Sequence, residues 1–87
     1  MFTVYVLYSP AFDKIYIGYS SNLTERLLSH NELGKKGWTI KFRPWILVYT
    51  EVFSTKSDAM KREKELKSYQ GRVFIRNRIK TQENSVD

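Results

Sequence analysis

The sequence places a carboxylate where a helix should present apolar side chains to the core. By helical periodicity, one face of this helix carries Ala59, Glu63, Leu66 and Gln70, with Met60 at its margin. A buried carboxylate is costly unless it is paired or binds a cation. Glu63 therefore needs a partner, which is either a structural ion pair or a divalent metal.

A cation and an imidazole lie one turn apart in an earlier predicted helix. Arg26 and His30 are four residues apart, at the edge of the face that carries Leu23 and Leu27. Polar groups beside a core-facing stripe suggest a cleft at the sheet. A structural interpretation stays open beside the functional one for each residue. His30 can be a structural residue, and Arg26 can form an ion pair with Glu63.

Two tyrosines and a glycine are brought together by a predicted β-hairpin. The first two β-forming runs flank a four-residue loop at residues 10–13. The simplest register pairs Ser9 with Lys14, Leu7 with Tyr16 and Tyr5 with Gly18. Both tyrosines then occupy one face of the sheet, beside a glycine that leaves the backbone open, and a one-residue slip would undo this.

Caps and apolar runs predict the next elements. Asn22, with Glu25 three residues on, starts a helix that runs to about Leu33, before Gly34 ends it. After a basic loop, residues 46–53 predict a strand in the middle of the sheet.

The C-terminal half should be mainly helical. A second helix should begin near Ser54 or Thr55 and continue to about Tyr69, with residues 70–71 (Gln-Gly) breaking it. Residues 72–80 suit a short amphipathic helix but could also form a strand. Residues 81–87 are polar and are expected to form a frayed tail.

Size and charge limit the class of protein. A chain of 87 residues without cysteine holds one core, expected at residues 1–80, and has neither disulfides nor thiolate zinc ligands. The net charge of +6 favours a polyanionic partner. No apolar stretch approaches the roughly 20 residues of a membrane span, so we expect a soluble, cytoplasmic protein without membrane contact.

In combination, the candidate residues resemble the signature of the GIY-YIG nucleases. The matching residues are, in chain order, Tyr5, Tyr16, Gly18, Arg26, His30 and Glu63. Residues 22–31 and 43–49 are similar to the stand-alone, single-domain bacterial branch, and the resemblance covers about residues 2–80. The sequence departs from the family where Thr3 replaces the first glycine and where Tyr19 stands in place of a frequent lysine.

The resemblance implies a fold and a reaction. The fold is a small α+β domain with a central three-stranded, largely antiparallel sheet flanked by helices. The reaction is metal-dependent endonucleolytic hydrolysis of DNA phosphodiester bonds, in DNA repair or processing, with one Mg²⁺ or Mn²⁺ held by Glu63. Arg26 would bind the scissile phosphate, and Tyr5 would orient or deprotonate water, with Tyr16 alongside and His30 as proton partner.

Basic residues outside this set predict sequence-independent phosphate contacts. They are Lys35, Lys36, Lys41, Arg43, Lys61, Arg62, Lys64 and Lys67. Two other functions remain open. One is a DNA-binding module of the same fold that has lost catalysis, which Tyr19 and the small size favour. The other is a basic protein-interaction domain, which accounts for the charge but not for Glu63.

Overall fold

A β-hairpin opens the chain. The computed structural model describes the backbone of residues 1–34 and 37–84, in which strands β1 (Phe2–Ser9) and β2 (Lys14–Ser20) pair antiparallel. The predicted register is confirmed, because Ser9 pairs with Lys14, Leu7 with Tyr16 and Tyr5 with Gly18. In the connecting loop Asp13 takes a φ of 53°, a conformation that aspartate tolerates better than most residues.

The third strand, β3 (Ile46–Phe53), lies at an edge of the sheet. The strand order is β2-β1-β3 and both pairs are antiparallel. The three-stranded antiparallel sheet is confirmed, but the expected central position of residues 46–53 is wrong. Strand β1 is central because its residues 4–9 are all buried, which requires cover on both faces, whereas β3 leaves Ile46, Leu47 and Val52 exposed.

Two apolar clusters cover the two faces of the sheet. Helices α2 (Lys56–Lys67) and α3 (Tyr69–Asn84) cover one face. Their cluster with the sheet consists of Val4, Val6, Tyr8, Ile15, Ile17, Ala59, Leu66, Ile75 and Ile79. On the other face, Tyr5, Leu7 and Trp45 pack with partly buried residues that include Leu23 and Leu27 of helix α1 (Leu23–Leu28). The molecule is therefore α+β, as expected.

Helix α1 begins where its capping residues predict. The Asn22 Oδ1 atom accepts a hydrogen bond from the Glu25 backbone N–H at 3.1 Å, which satisfies a donor that the first turn leaves open. A π-helical segment, Ser29–Leu33, extends α1 to the predicted end. Arg43 closes this segment, since its guanidinium donates to the carbonyls of Ser29, His30 and Gly34 at 3.1, 2.6 and 2.6 Å.

The break between α2 and α3 lies at Ser68, so the predicted break at residues 70–71 is wrong. Ser68 has an extended backbone, and its Oγ atom accepts a hydrogen bond from the Gly71 N–H at 3.2 Å, which caps the start of α3. Gly71 is needed for close packing instead. A Cβ atom there would lie 2.3 Å from the Glu65 carbonyl oxygen, because α3 turns back tightly over the end of α2.

The C-terminal segment forms the predicted helix. Residues 72–80 lie within α3, which continues to Asn84. The predicted tail therefore begins inside this helix, and its residues 85–87, like Lys35 and Lys36, lie outside the described residues. The division into a domain and a tail stays a prediction. None of the described helices combines the length and the apolar character that a membrane span requires.

Candidate active site

Five of the six residues predicted from the sequence line one open hollow. The hairpin contributes Tyr5, Tyr16 and Gly18, α1 contributes Arg26, and α2 contributes Glu63. The hollow has a volume of about 400 Å³. Three separate elements thus bring a carboxylate, a guanidinium and two phenols to a common space.

Tyr5 forms the buried floor of the hollow. Its side chain is 1% exposed, and its ring centroid lies 6.2 Å from that of Tyr16. Gly18 makes room for this ring, because a Cβ atom at Gly18 would lie 2.8 Å from the Tyr5 hydroxyl. The space that Gly18 leaves open is therefore occupied by Tyr5 itself.

His30 lies directly behind Tyr5. Its Nε2 atom shares a hydrogen bond with the Tyr5 hydroxyl at 3.0 Å, and its Nδ1 atom shares another with the Thr39 hydroxyl at 3.3 Å. Burial, reinforced by the charges of Arg26 and Arg43, lowers the pKa of His30. His30 is therefore neutral at pH 7, with one ring nitrogen able to accept a proton.

The Tyr5 phenol holds its proton firmly. Burial, together with the neighbouring Tyr16, raises the pKa of Tyr5, while the charge of Arg26 acts in the opposite direction. A role of Tyr5 as a base would require Arg26 and a metal to lower this pKa. In the protein alone the effect of burial outweighs that of Arg26, so Tyr5 is a protonated donor at neutral pH.

The Glu63 carboxylate is the acidic group of the hollow. Its side chain is 21% exposed, and Lys67, one turn along α2, lies 3.6 Å from its Oε2 atom. Among the described cations, Lys67 and not Arg26 forms the ion pair with Glu63. Since Lys67 is half exposed, the pair is weak and leaves the carboxylate accessible from the hollow.

The donor set fits a metal site with a single protein carboxylate. Glu63 offers the hard oxygen ligands that Mg²⁺ and Mn²⁺ prefer. Within the described part of the chain, no group of three or more His, Cys, Asp or Glu residues could hold a metal ion. Mg²⁺ commonly keeps several waters and takes ligands from a substrate phosphate, so one carboxylate is compatible with its chemistry.

Sequence reasoning missed two residues at or beside the site. Lys56 lines the hollow with Glu63, seven residues away on the same face of α2, and this two-turn spacing could have revealed it. Thr39 contacts His30 from a 3-10 helix, Trp38–Phe42. Nothing in the local sequence distinguishes Thr39 from a loop residue.

The basic residues predicted to contact phosphate fall into distinct groups. Arg43 is engaged by three carbonyls, and Arg62 is bound to Glu51 and Glu65, with its Nη2 atom 2.9 Å from the Glu51 Oε2 atom. These contacts give both arginines structural roles. Of the lysines in this predicted set, Lys41, Lys61 and Lys64 are exposed and form no ion pair with a described residue. Lys67 pairs with Glu63, and Lys35 and Lys36 lie outside the described residues.

Comparison with known proteins identifies the family. The sequence model described as the GIY-YIG catalytic domain matches residues 1–80. The chain therefore belongs to the GIY-YIG family, a family of nuclease domains.

Proteins of staphylococci are similar in sequence to part of this chain. A UPF0213 protein of Staphylococcus haemolyticus is 42% identical over 57 residues, which are 66% of this chain and 70% of that protein. UPF0213 proteins of Staphylococcus saprophyticus and Staphylococcus epidermidis are each 42% identical over 55 residues, 63% of this chain and 67% of theirs. No solved structure is significantly similar to the chain.

Proposed function

We propose that the protein is a divalent-metal-dependent endonuclease that hydrolyses DNA phosphodiester bonds. The observation that carries this proposal is the convergence of Tyr5, Tyr16, Arg26 and Glu63 on one open hollow. Phosphodiester hydrolysis needs a positioned water, a cation near the developing charge and donors to the non-bridging oxygens. The groups in the hollow can meet each of these needs.

Arg26 and Glu63 divide the binding of phosphate and metal. The planar Arg26 guanidinium can donate two parallel hydrogen bonds to the non-bridging oxygens of the scissile phosphate. Glu63 would hold one Mg²⁺ or Mn²⁺, since the weak ion pair with the half-exposed Lys67 leaves its carboxylate accessible. When bound, such an ion supplies Lewis-acid stabilisation of the phosphate and a more acidic water.

Tyr5 and His30 would together take up the proton that the attacking water gives up. A protonated Tyr5 cannot act as a simple base, but its hydroxyl oxygen can accept a proton from water while its own proton passes to the neutral His30 Nε2 atom. The 3.0 Å contact between Tyr5 and His30 suits this relay. In that tautomer the His30 Nδ1–H donates to Thr39, which fixes the orientation of the ring.

Lys56 supplies a cation to the hollow from a different position than the lysine that is frequent in the family. Tyr19 stands where several family members have lysine, and both Tyr19 and Lys56 line the hollow. The Lys56 ammonium can therefore contact the phosphate or an ordered water in place of the missing lysine. Surface lysines, including Lys41, Lys61 and Lys64, would add contacts to flanking phosphates without reading sequence.

The alternative is a DNA-binding module of the same fold without catalysis. Tyr19, which stands in the place of a lysine, favours this alternative. The raised pKa of Tyr5 favours it as well. A location in the cytoplasm and a role in DNA repair or processing stay predictions.

Nicking of supercoiled plasmid in the presence of Mg²⁺ or Mn²⁺ separates the two functions. We expect nicking by the unmodified protein, and a loss of at least about 100-fold in Glu63→Gln and Arg26→Ala, because each removes a group that acts on the transition state. Glu65→Gln is the matched control, since it alters an exposed carboxylate of the same helix. Plasmid retention without nicking under either metal would support the binding module.

A further inference from the structure

A second groove adjoins the hollow along the outer edge of strand β2. Its lining comprises Ile15, Tyr16, Ile17, Trp38, Lys67 and Arg72. Tyr16 lines both the groove and the hollow, so the two spaces border the same side chain. A polymer bound across the hollow can therefore extend into the groove.

Trp38 presents an exposed aromatic face at this groove. Its side chain is 46% exposed, although its ring packs at 4.7 Å from Phe42 and 5.7 Å from Trp45, measured between centroids. Trp45 is 3% exposed and donates its indole N–H to the Thr39 carbonyl at 2.8 Å. These contacts hold Trp38 from behind, so it is a supported surface on which a flat ligand can stack.

Two cations line the same groove. Lys67 extends from the end of α2 and is half exposed. Arg72 lies on α3 and donates its Nε–H to the Lys67 carbonyl at 3.2 Å, which leaves the terminal nitrogens of its guanidinium for other partners. An exposed aromatic ring beside two cations is the combination that binds single-stranded nucleic acid, through base stacking and phosphate contact.

We propose that this groove binds an unpaired nucleotide adjacent to the scissile phosphate, with its base stacked on Trp38 and its phosphate held by Lys67 and Arg72. The proposal rests on the proposed function for the position of the scissile phosphate. In a duplex both faces of each base are covered by its neighbours, so stacking on Trp38 requires an unpaired base. The preferred DNA therefore carries a single-stranded segment beside the cut.

Binding in the absence of metal tests this site independently of cleavage. The probe is a fluorescein-labelled oligothymidylate of twelve nucleotides, compared by fluorescence anisotropy with a duplex of the same length in EDTA. We expect the unmodified protein to bind the single strand more tightly than the duplex. Duplex binding that is equal or tighter would overturn the proposal, and this comparison needs no variant.

Substitution of Trp38 then locates the contact. We expect Trp38→Ala to weaken single-strand binding by about 5- to 150-fold, the usual effect of removing one stacking platform, with duplex binding changed less than about twofold. Trp38→Phe keeps a smaller ring and should retain part of the affinity. Phe12→Ala is the matched control, because Phe12 is 48% exposed and packs on Phe42 but lies outside the groove lining.

The outcomes distinguish failure of this site from failure of the proposed function. Single-strand affinity that is unchanged in Trp38→Ala, or that falls equally in Phe12→Ala, overturns the groove proposal whatever the plasmid assay gives. Conversely, selective loss in Trp38→Ala supports the groove even if the protein nicks no plasmid. Circular dichroism of each variant establishes that the loss does not come from unfolding, and Trp38→Phe carries the test if Trp38→Ala unfolds.

Discussion

At the scale of single residues, the arrangement of Tyr5, His30 and Thr39 explains how a phenol with a raised pKa can take part in hydrolysis. Burial keeps Tyr5 protonated and keeps His30 neutral. A phenol with a raised pKa releases its proton to solvent unfavourably. Transfer of that proton to the neutral imidazole of His30, whose Nε2 atom lies 3.0 Å away, is short and direct. The two shifts are therefore complementary, since a charged His30 could not receive the proton.

His30 also predicts how stability depends on pH. The pKa of His30 is lowered in the folded protein, so the unfolded chain takes up the proton first as the pH falls through about 6.5. Folding stability should therefore be full above pH 7 and should decrease between pH 7 and pH 5.5. Because the chain contains one histidine, a thermal melting series over this range reports on His30. A melting temperature that is flat in the native protein, or equally sloped in His30→Gln, would contradict this.

At the scale of secondary structure elements, Gly71 sets the angle between α2 and α3. We predict that Gly71→Ala destabilises the protein by about 1–3 kcal/mol, the usual range for overpacking, because the new methyl group would meet the Glu65 carbonyl oxygen and Leu66 backbone. Urea denaturation measures the change. Gln70→Ala is the control, since Gln70 is the exposed neighbour in the same turn. Equal stability of the two variants would show that α3 does not pack as closely as described.

Elements fixed by local chemistry could be predicted from the sequence. The hairpin register follows from a short loop between two β-forming runs, and the start of α1 follows from Asn22 and Glu25. The position of β3 could not be predicted, because an apolar run has the same appearance in a central strand and in an edge strand with exposed side chains. The helix break also escaped prediction, because Ser68 caps α3 while Gly71 serves interhelical packing.

The residues of the candidate site also fall into those that the sequence alone could place together and those that it could not. Tyr5, Tyr16 and Gly18 could be placed together because strand register determines which residues face each other. The convergence of Arg26 and Glu63 came from the family resemblance, since periodicity locates each on its helix but not the helices relative to one another. The contact between Thr39 and His30 depends on how the 3-10 helix packs against His30, and no local sequence pattern predicts that packing.

At the scale of the whole molecule, the fifteen lysines and arginines overstate the number of cations available to DNA. Arg43 and Arg62 are engaged within the protein, and Arg76 joins α3 to the hairpin through Asp13, with 2.6 Å between its Nη1 atom and the Asp13 Oδ1 atom. Phosphate contacts must therefore come mainly from lysines and from arginines outside these ion pairs, such as Arg26 and Arg72. The basic character of the chain serves both folding and binding.

The difference between arginines engaged within the protein and exposed lysines predicts different effects for neighbouring basic residues of α2. Lys64→Ala should weaken DNA binding and reduce the slope of log K against log salt by about 1, because it removes one phosphate contact. Arg62→Ala should mainly lower the free energy of unfolding, because it releases Glu51. Anisotropy titrations at several salt concentrations, with urea melts of both variants, check the pair. A reversed pattern would show that the ion pair with Glu51 opens to bind DNA.

The metal dependence of plasmid nicking by Glu63→Asp is the measurement that tests the hydrolytic proposal most directly. Aspartate keeps the charge of Glu63 but shortens its reach, so we predict that nicking persists with its half-maximal Mn²⁺ concentration raised about tenfold or more, while Glu63→Gln stays inactive at every concentration. Nicking by Glu63→Gln at the rate of the unmodified protein, or an unchanged Mn²⁺ requirement in Glu63→Asp, would contradict Glu63 as the metal ligand of a nuclease.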